Sequence, residues 1–326
     1  MKKYRKLLIL AVLLIGAAGA AVLVYRTTVQ PPESARLLPD GDLVVYANLK
    51  PLHLFDLNKS RPVQLEGDYQ DFVTQTGFQF ERDLNEVAMS RRDTPNGQDV
   101  ESSEIFAGHF DEPRVRAYLQ KIADKTEQYR NHDVFSVTHN GHMVRVCILD
   151  GGRVAVTNMA SPEPMHGIID RSIRPGHGPA LLIAHYHDVP VASLGWLIDR
   201  IPDKPEDVPL PGGFSLSLPP DTTAVASIRY TGSLLFRADL FAQSQDRAKQ
   251  IVDAANTHLS LMRSITQLMK ARGPDQDVKA VFDSIKAEQK ENVAVFTATI
   301  PESIIRKLLS EAQAETAAPV APPQRR

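Results

Sequence analysis

The first twenty-six residues, MKKYRKLLILAVLLIGAAGAAVLVYR, constrain this chain more than any other stretch. Four cations (Lys2, Lys3, Arg5, Lys6) precede nineteen uncharged residues, Leu7 to Tyr25, with no proline among them. As a helix rising ~1.5 Å per residue, that run covers ~28 Å, close to the ~30 Å hydrocarbon core of a bilayer. A helix also satisfies its own backbone groups, which lipid requires. The expected membrane-anchoring residues are Leu7, Leu8, Ile9, Leu10, Val12, Leu13, Leu14, Ile15, Val22, Leu23, Val24 and Tyr25, the last suited to the interface. The basic flank marks the cytoplasmic side, so the rest of the chain is expected outside the cytoplasm. The competing reading is a secretory signal with Leu7 to Gly16 as its core and Ala18-Gly19-Ala20 as its cleavage site. Both readings send the rest of the chain to the same side.

Beyond this segment and a polar linker at 27–36, about 290 residues remain, enough for one large domain or two ordinary ones. The chain carries 37 basic and 39 acidic residues, well mixed, for a formal net charge of -2. No Lys/Arg cluster interleaved with aromatics is present, which argues against a nucleic-acid partner. The one cysteine, Cys147, lies in the alternating run Met143 to Leu149, a setting for a buried and inert thiol.

Taken in order, Leu38-Pro39-Asp40-Gly41-Asp42 is a turn signature that opens a strand at Leu43 to Leu49, with Asp40 and Asp42 expected to serve the turn itself. Short helices are expected at 51–57 and 68–76, then strands at 86–92 and 104–110. Asp111-Glu112-Pro113 starts a helix running to about Lys125. Val134 to His139, Asn140-Gly141 and His142 to Leu149 form the clearest hairpin, because Asn-Gly fits the type I′ turn. A third strand, Arg153 to Thr157, completes a meander. A helix is expected at 164–171, a strand at Ala180 to His187 and an amphipathic helix at Val191 to Ile201. Residues 202–213 read as a surface connector.

The second half echoes the first. Leu218-Pro219-Pro220-Asp221 leads into the strand Thr223 to Tyr230, and Phe296 to Leu309 repeats the strand-to-helix pattern of Phe106 to Leu119. Between the echoes, Ala248, Val252, Ala255, Leu259, Met262, Thr266 and Met269 stripe a long amphipathic helix over 244–271. A shorter helix and a hairpin around Lys290-Glu291 come after it. The Ala/Pro-rich tail 313–326 has no periodicity and reads as disordered. The fold expected is therefore α+β: an N-terminal transmembrane helix (1–26), a first antiparallel sheet-plus-helix unit (37–201), the connector, and a related second unit (214–312) with the long helix.

This layout resembles a type of uncharacterised bacterial protein with a basic N-terminus, a single membrane span and an outer domain that opens with a Leu-Pro-x-Asp turn into a valine-rich strand. Leu218-Pro219-Pro220-Asp221 matches that opening in full, and Leu38-Pro39-Asp40 before Val44-Val45-Tyr46 is one residue shorter. The resemblance implies no activity, cofactor or catalytic residue.

The sharpest cluster of reactive side chains is His185-Tyr186-His187-Asp188. On a strand, His185 and His187 share a face and can reach one metal ion, with Asp188 as a third ligand. The bland alternative is polar side chains at an exposed strand end. His139 and His142 flank the Asn-Gly turn and face each other. There is no Gly-x-Ser-x-Gly elbow and no phosphate-binding loop. The function expected is that of a membrane-anchored, extracytoplasmic binding or scaffold protein without cofactor or catalytic centre. The stripe of the 244–271 helix is expected to cover the unit's own sheet, and the rival reading has it meet an envelope protein or a second copy of the chain; the membrane is met through the N-terminal helix. A metal-dependent envelope hydrolase using His185 and His187 is the alternative.

Overall fold

The computed structural model describes residues 30–54, 67–94, 100–139, 141–201, 205–210, 214–268 and 276–307. Its framework is one twelve-stranded sheet in which every neighbouring pair is antiparallel. The strands are β1 (Leu43–Asn48), β2 (Leu84–Asp93), β3 (Val100–Gly108), β4 (Lys125–Tyr129), β5 (His132–His139), β6 (His142–Asp150), β7 (Arg153–Thr157), β8 (Gly195–Arg200), β11 (Thr223–Tyr230), β12 (Ser233–Phe241), β13 (Lys286–Lys290) and β14 (Val293–Pro301). They lie in the order β13-β14-β12-β11-β8-β1-β2-β3-β7-β6-β5-β4. A separate hairpin, β9 (Glu206–Leu210) with β10 (Phe214–Leu218), stands off the sheet. Both edge strands are short and charged, with Lys125 and Glu127 on one and Lys286, Glu288 and Lys290 on the other. Such edges discourage pairing with another chain.

The sequence leaves open how the two sheet-and-helix units are joined, and in the structure they share a single sheet: β8, which closes the first half, pairs with β1 on one side and β11 on the other. The strands opened by the two echoing turns therefore flank one central strand. One expectation about the fold is corrected: the transmembrane helix has no counterpart, because no described helix is long and apolar enough to cross a membrane. The stretch Leu7 to Tyr25 lies outside the described residues, as do the tail 313–326 and the Asn140 of the hairpin turn.

Because side chains alternate along a strand, the sheet buries two different surfaces. One face carries Val44, Tyr46, Ala88, Ile105, Val134, Cys147, Ala155, Trp196 and Ile198. Over it lie α1 (Glu33–Arg36), α6 (Glu163–Ile173) and α7 (Ala180–His185), which add Ala35, Met165, Ile168, Ile169 and Leu182. Tyr46 and Trp196 stack at 5.5 Å. A short helix, α2 (Lys50–Leu54), continues from β1 and sets the His53 ring 2.9 Å from the Leu84 carbonyl. The opposite face is covered in two separate arms. On one arm α3 (Gly67–Thr76), α4 (Phe80–Asp83) and α5 (Glu112–Ile122) bring an aromatic cluster in which Phe78 stacks on Phe110 at 4.5 Å and Phe80 meets Phe106. On the other arm lie α8 (Gln245–Leu268), α9 (Gln276–Ser284) and the β9–β10 hairpin.

Local chemistry accounts for several elements. Asp111 caps α5 by accepting from the Arg114 N–H at 3.2 Å, and Pro113 sits in the first turn. Gly141 takes φ +81° in the β5–β6 turn, a conformation open to glycine at no steric cost. Elsewhere the sequence misleads. Ala180 to His187 is helical rather than a strand, and Val191 to Ile201 holds the central strand β8 rather than a helix. The connector 202–213 contributes β9, and α5 ends early enough for the edge strand β4 to begin at Lys125. Asp40 does not serve its own turn: its carboxylate accepts from the Ala180 N–H at 2.7 Å and so caps α7.

Candidate functional site

The histidine cluster folds into a helix end rather than a strand. His185 closes α7, and Tyr186–Asp188 form a single 3-10 turn. Asp188 lies 3.3 Å from His185 Nδ1 and 3.4 Å from His187 Nε2, so both imidazoles address one carboxylate. His187 remains 74 % exposed, and the His185 ring packs near Phe241. Among the described residues no group of three or more His, Cys, Asp or Glu side chains is placed to hold a metal ion. His139 and His142 do sit opposite each other across the hairpin, on its exposed tip. Cys147 is fully buried and its thiol is pushed up to about 12 by that burial, far from a reactive thiolate.

A different site emerges under α8. The first turns of this helix bury Ala248, Ile251, Val252 and Ala255 against Leu240 and Ala294 of the sheet. The helix then stays over the sheet without sealing against it: His258, Leu259 and Met262 are only half-buried and Leu261 is 47 % exposed. Beneath this half lies a cavity of about 520 Å³. Its floor is Leu197, Ala224, Phe236, Ala238, Phe296 and Ala298. Its roof is Ala255, His258, Leu259 and Met262 of α8 with Phe282 and Ile285 at the end of α9. Val208, Leu216 and Leu218 of the small hairpin close one end.

The sequence explains the space. Directly paired positions on β11, β12 and β14 place alanine where a packed sheet carries a larger side chain: Ala226 faces Ala238, and Ala298 lies opposite Phe236. The roof cannot drop to fill the gap because it is pinned along the β13 side. Gln289 donates to the Gln245 carbonyl at 2.9 Å, Arg263 donates to the Ile285 carbonyl at 3.0 Å, and Ser284 donates to the Thr299 carbonyl at 3.0 Å. A sealed dry void of this size would cost ~12 kcal/mol at ~24 cal/mol per Å³, comparable to the whole stability of a domain. The cavity is instead partly open to solvent, and Phe236 in its lining is 37 % exposed.

Chemically the cavity is an apolar binding site. Its size falls within the ~300–1,000 Å³ of small-molecule pockets, and its walls are aliphatic and aromatic. Asp199 and His258 are the ionisable side chains that reach it. Sequence reasoning places Ala255, Leu259 and Met262 on the helix stripe, there weighed as sheet packing or as a protein-docking surface, and singles out none of the other lining residues. The legible signal would have been alanine recurring at inward positions of three adjacent strands.

The sequence matches no protein-family model and no curated protein. Among solved structures, crystal forms IV, III and I of TP0453 are similar to this chain at 12 %, 11 % and 11 % identity, covering 85 %, 86 % and 86 % of it and 96 %, 99 % and 97 % of their own chains. Their TM-scores are 0.44, 0.44 and 0.43, too low for any property of TP0453 to be carried over.

Proposed function

We propose that this chain is a non-catalytic binding protein of the cell envelope, acting outside the cytoplasm, that holds a small apolar molecule between α8 and the sheet. The observation that carries this reading is the alanine-floored cavity under the second half of α8. The basic and apolar start of the chain supports the location, since a stretch of this kind exports the residues after it whether or not it is cleaved. The inward stripe of α8 packs on its own sheet through Ala248, Ile251, Val252 and Ala255, which directs the helix toward roofing a site rather than toward docking a partner on that stripe.

The test is titration of the protein with the neutral apolar dye 1-N-phenylnaphthylamine. The expected result is saturable one-to-one binding that Ala238→Phe and Ala298→Phe each reduce at least tenfold while the fold is retained. Binding that survives both substitutions unchanged would place the dye elsewhere and remove the basis for this function.

A further inference from the structure

The floor of the cavity under α8 continues past β8. Leu197 in that floor is the direct cross-strand neighbour of Val45 on β1, Val45 of Met89 on β2, and Met89 of Glu104 on β3. All four side chains therefore share the face that carries the cavity. In the other direction Leu197 neighbours Ala226 of β11, which faces Ala238 in the cavity floor. An apolar row thus leads out of the cavity, crosses the middle of the sheet between the two covered arms, and ends at a carboxyl group. Val45, Ala47, Val87 and Met89 on this face are only half-buried, whereas Val44, Tyr46 and Ala88 on the opposite face are buried. Ile228, paired with Phe236 of the cavity lining, is 41 % exposed.

Glu104 is half-buried and has acceptor capacity to spare. Among the described residues its carboxylate takes one long hydrogen bond, from the Ser102 hydroxyl at 3.5 Å, and no cation pairs with it. Burial raises this carboxyl above the usual range, with the Ser102 hydroxyl pulling weakly the other way. The nearest guanidinium on the same face, that of Arg91, pairs instead with Asp93 at 3.3 Å. Asp199 brings a second carboxyl to the cavity end of the row. The charges along the row are therefore in acidic excess.

We propose that the site takes an amphiphile with one unbranched hydrocarbon chain and an ammonium head, the head at Glu104 and the chain along Met89, Val45 and Leu197 into the cavity. This assignment rests on the apolar-binding function proposed above and names the class of its ligand. Glu104 stands three strand spacings from Leu197 and four from Ala226, ~14 Å and ~19 Å. An extended chain advances ~1.2 Å per bond, so about fourteen carbons reach past Leu197 and about seventeen reach Ala226. At the head, ammonium N–H groups donate to the Glu104 carboxylate, a charge-assisted bond that a half-buried site screens less than water does. A fatty-acid anion meets the opposite situation, with its charge set against Glu104 and Asp199.

Calorimetric titration of the full chain with tetradecylamine, below its micellar concentration, tests this, with tetradecanoate to reverse the head charge and octylamine to shorten the chain. The expected result is saturable one-to-one binding of tetradecylamine that displaces 1-N-phenylnaphthylamine, with tetradecanoate and octylamine each at least tenfold weaker. Glu104→Gln is expected to weaken tetradecylamine at least tenfold while dye affinity stays that of the wild type. Met89→Lys, which sets a cation in the row, is an independent variant with the same expected outcome. No binding of tetradecylamine, equal affinity for the amine and the carboxylate, amine binding without dye displacement, or unchanged amine binding in either variant would each overturn the assignment. A wild type that binds the dye without preferring the amine fails this assignment alone, whereas one that binds neither fails the proposed function as well.

Discussion

On the β3–β7–β6–β5 arm, α5 lays Val115 and Leu119 onto Phe135, Ile148 and Val154, each at most 7 % exposed. On the β11–β12–β14 arm of the same face, α8 passes over Ala224, Ala238 and Ala298 and leaves a cavity of about 520 Å³. The architecture is alike in both arms: a helix crosses antiparallel strands. The difference lies in side-chain volume on the sheet and in how the roof is held. Large inward residues turn one arm into core, whereas small ones under a pinned helix turn the other into a container. A single face can thus serve stability at one end and binding at the other.

The largest expected effect tests the packed arm. Phe135→Ala removes a fully buried ring and should lower stability by ~3–5 kcal/mol, read as a fall in the urea midpoint at unchanged m-value. A loss near that of a surface substitution would show that this arm is loosely packed as well. Next comes Ala238→Phe on the hollow arm. It should abolish apolar-dye binding while stability stays within ~1 kcal/mol of wild type or rises, since the ring enters existing space. Strong destabilisation there would mean the space is not available to a side chain.

A third comparison uses Leu259→Ala in the roof. Leu259 already borders the cavity and is half-buried, so the expected loss is ~1 kcal/mol, well below that of Phe135→Ala. Equal losses from the two would erase the distinction between the arms. The smallest effect concerns Glu104, on the packed side between Met89 and Val156. Burial raises its carboxyl above the usual range against a weaker opposing pull from the Ser102 hydroxyl. A carboxyl raised in the folded state contributes stability below its unfolded pKa and loses that contribution as pH rises through the folded value. Glu104→Gln should therefore melt slightly higher than wild type at pH 7, with the difference shrinking below about pH 4. A difference independent of pH would indicate that the carboxyl is not desolvated.

The sequence makes legible those elements that short-range chemistry decides. In the sequence Asn140-Gly141 announces the β5–β6 hairpin, and Asp111 and Pro113 announce α5, because turn and cap residues act on their immediate neighbours. The central strand β8 escapes such reading because Val191, Leu194, Ile198 and Ile201 fall at helical spacing while Trp196 and Ile198 alternate. Only the gap between β1 and β11 decides for the strand. The opposite error at Ala180 to His187 has a similar source. The cap that starts α7 comes from Asp40, far away in the chain, and no local pattern announces it. With that strand gone, His185 and His187 lose the shared face on which their metal-site reading depends. The cavity is hidden for a third reason. The stripe of α8 and the alternation of β14 are both visible, but the volume between them depends on three strands pairing alanine with alanine or with a distant aromatic.

The most direct test of the hollow arm is a crystal of the protein pressurised with xenon, which enters apolar cavities and gives an anomalous signal. Xenon is expected between Ala238, Ala298, Met262 and Phe282, with none inside the arm covered by α5. An arm under α8 that takes up no xenon, its roof residues closed onto the alanines, would contradict the account.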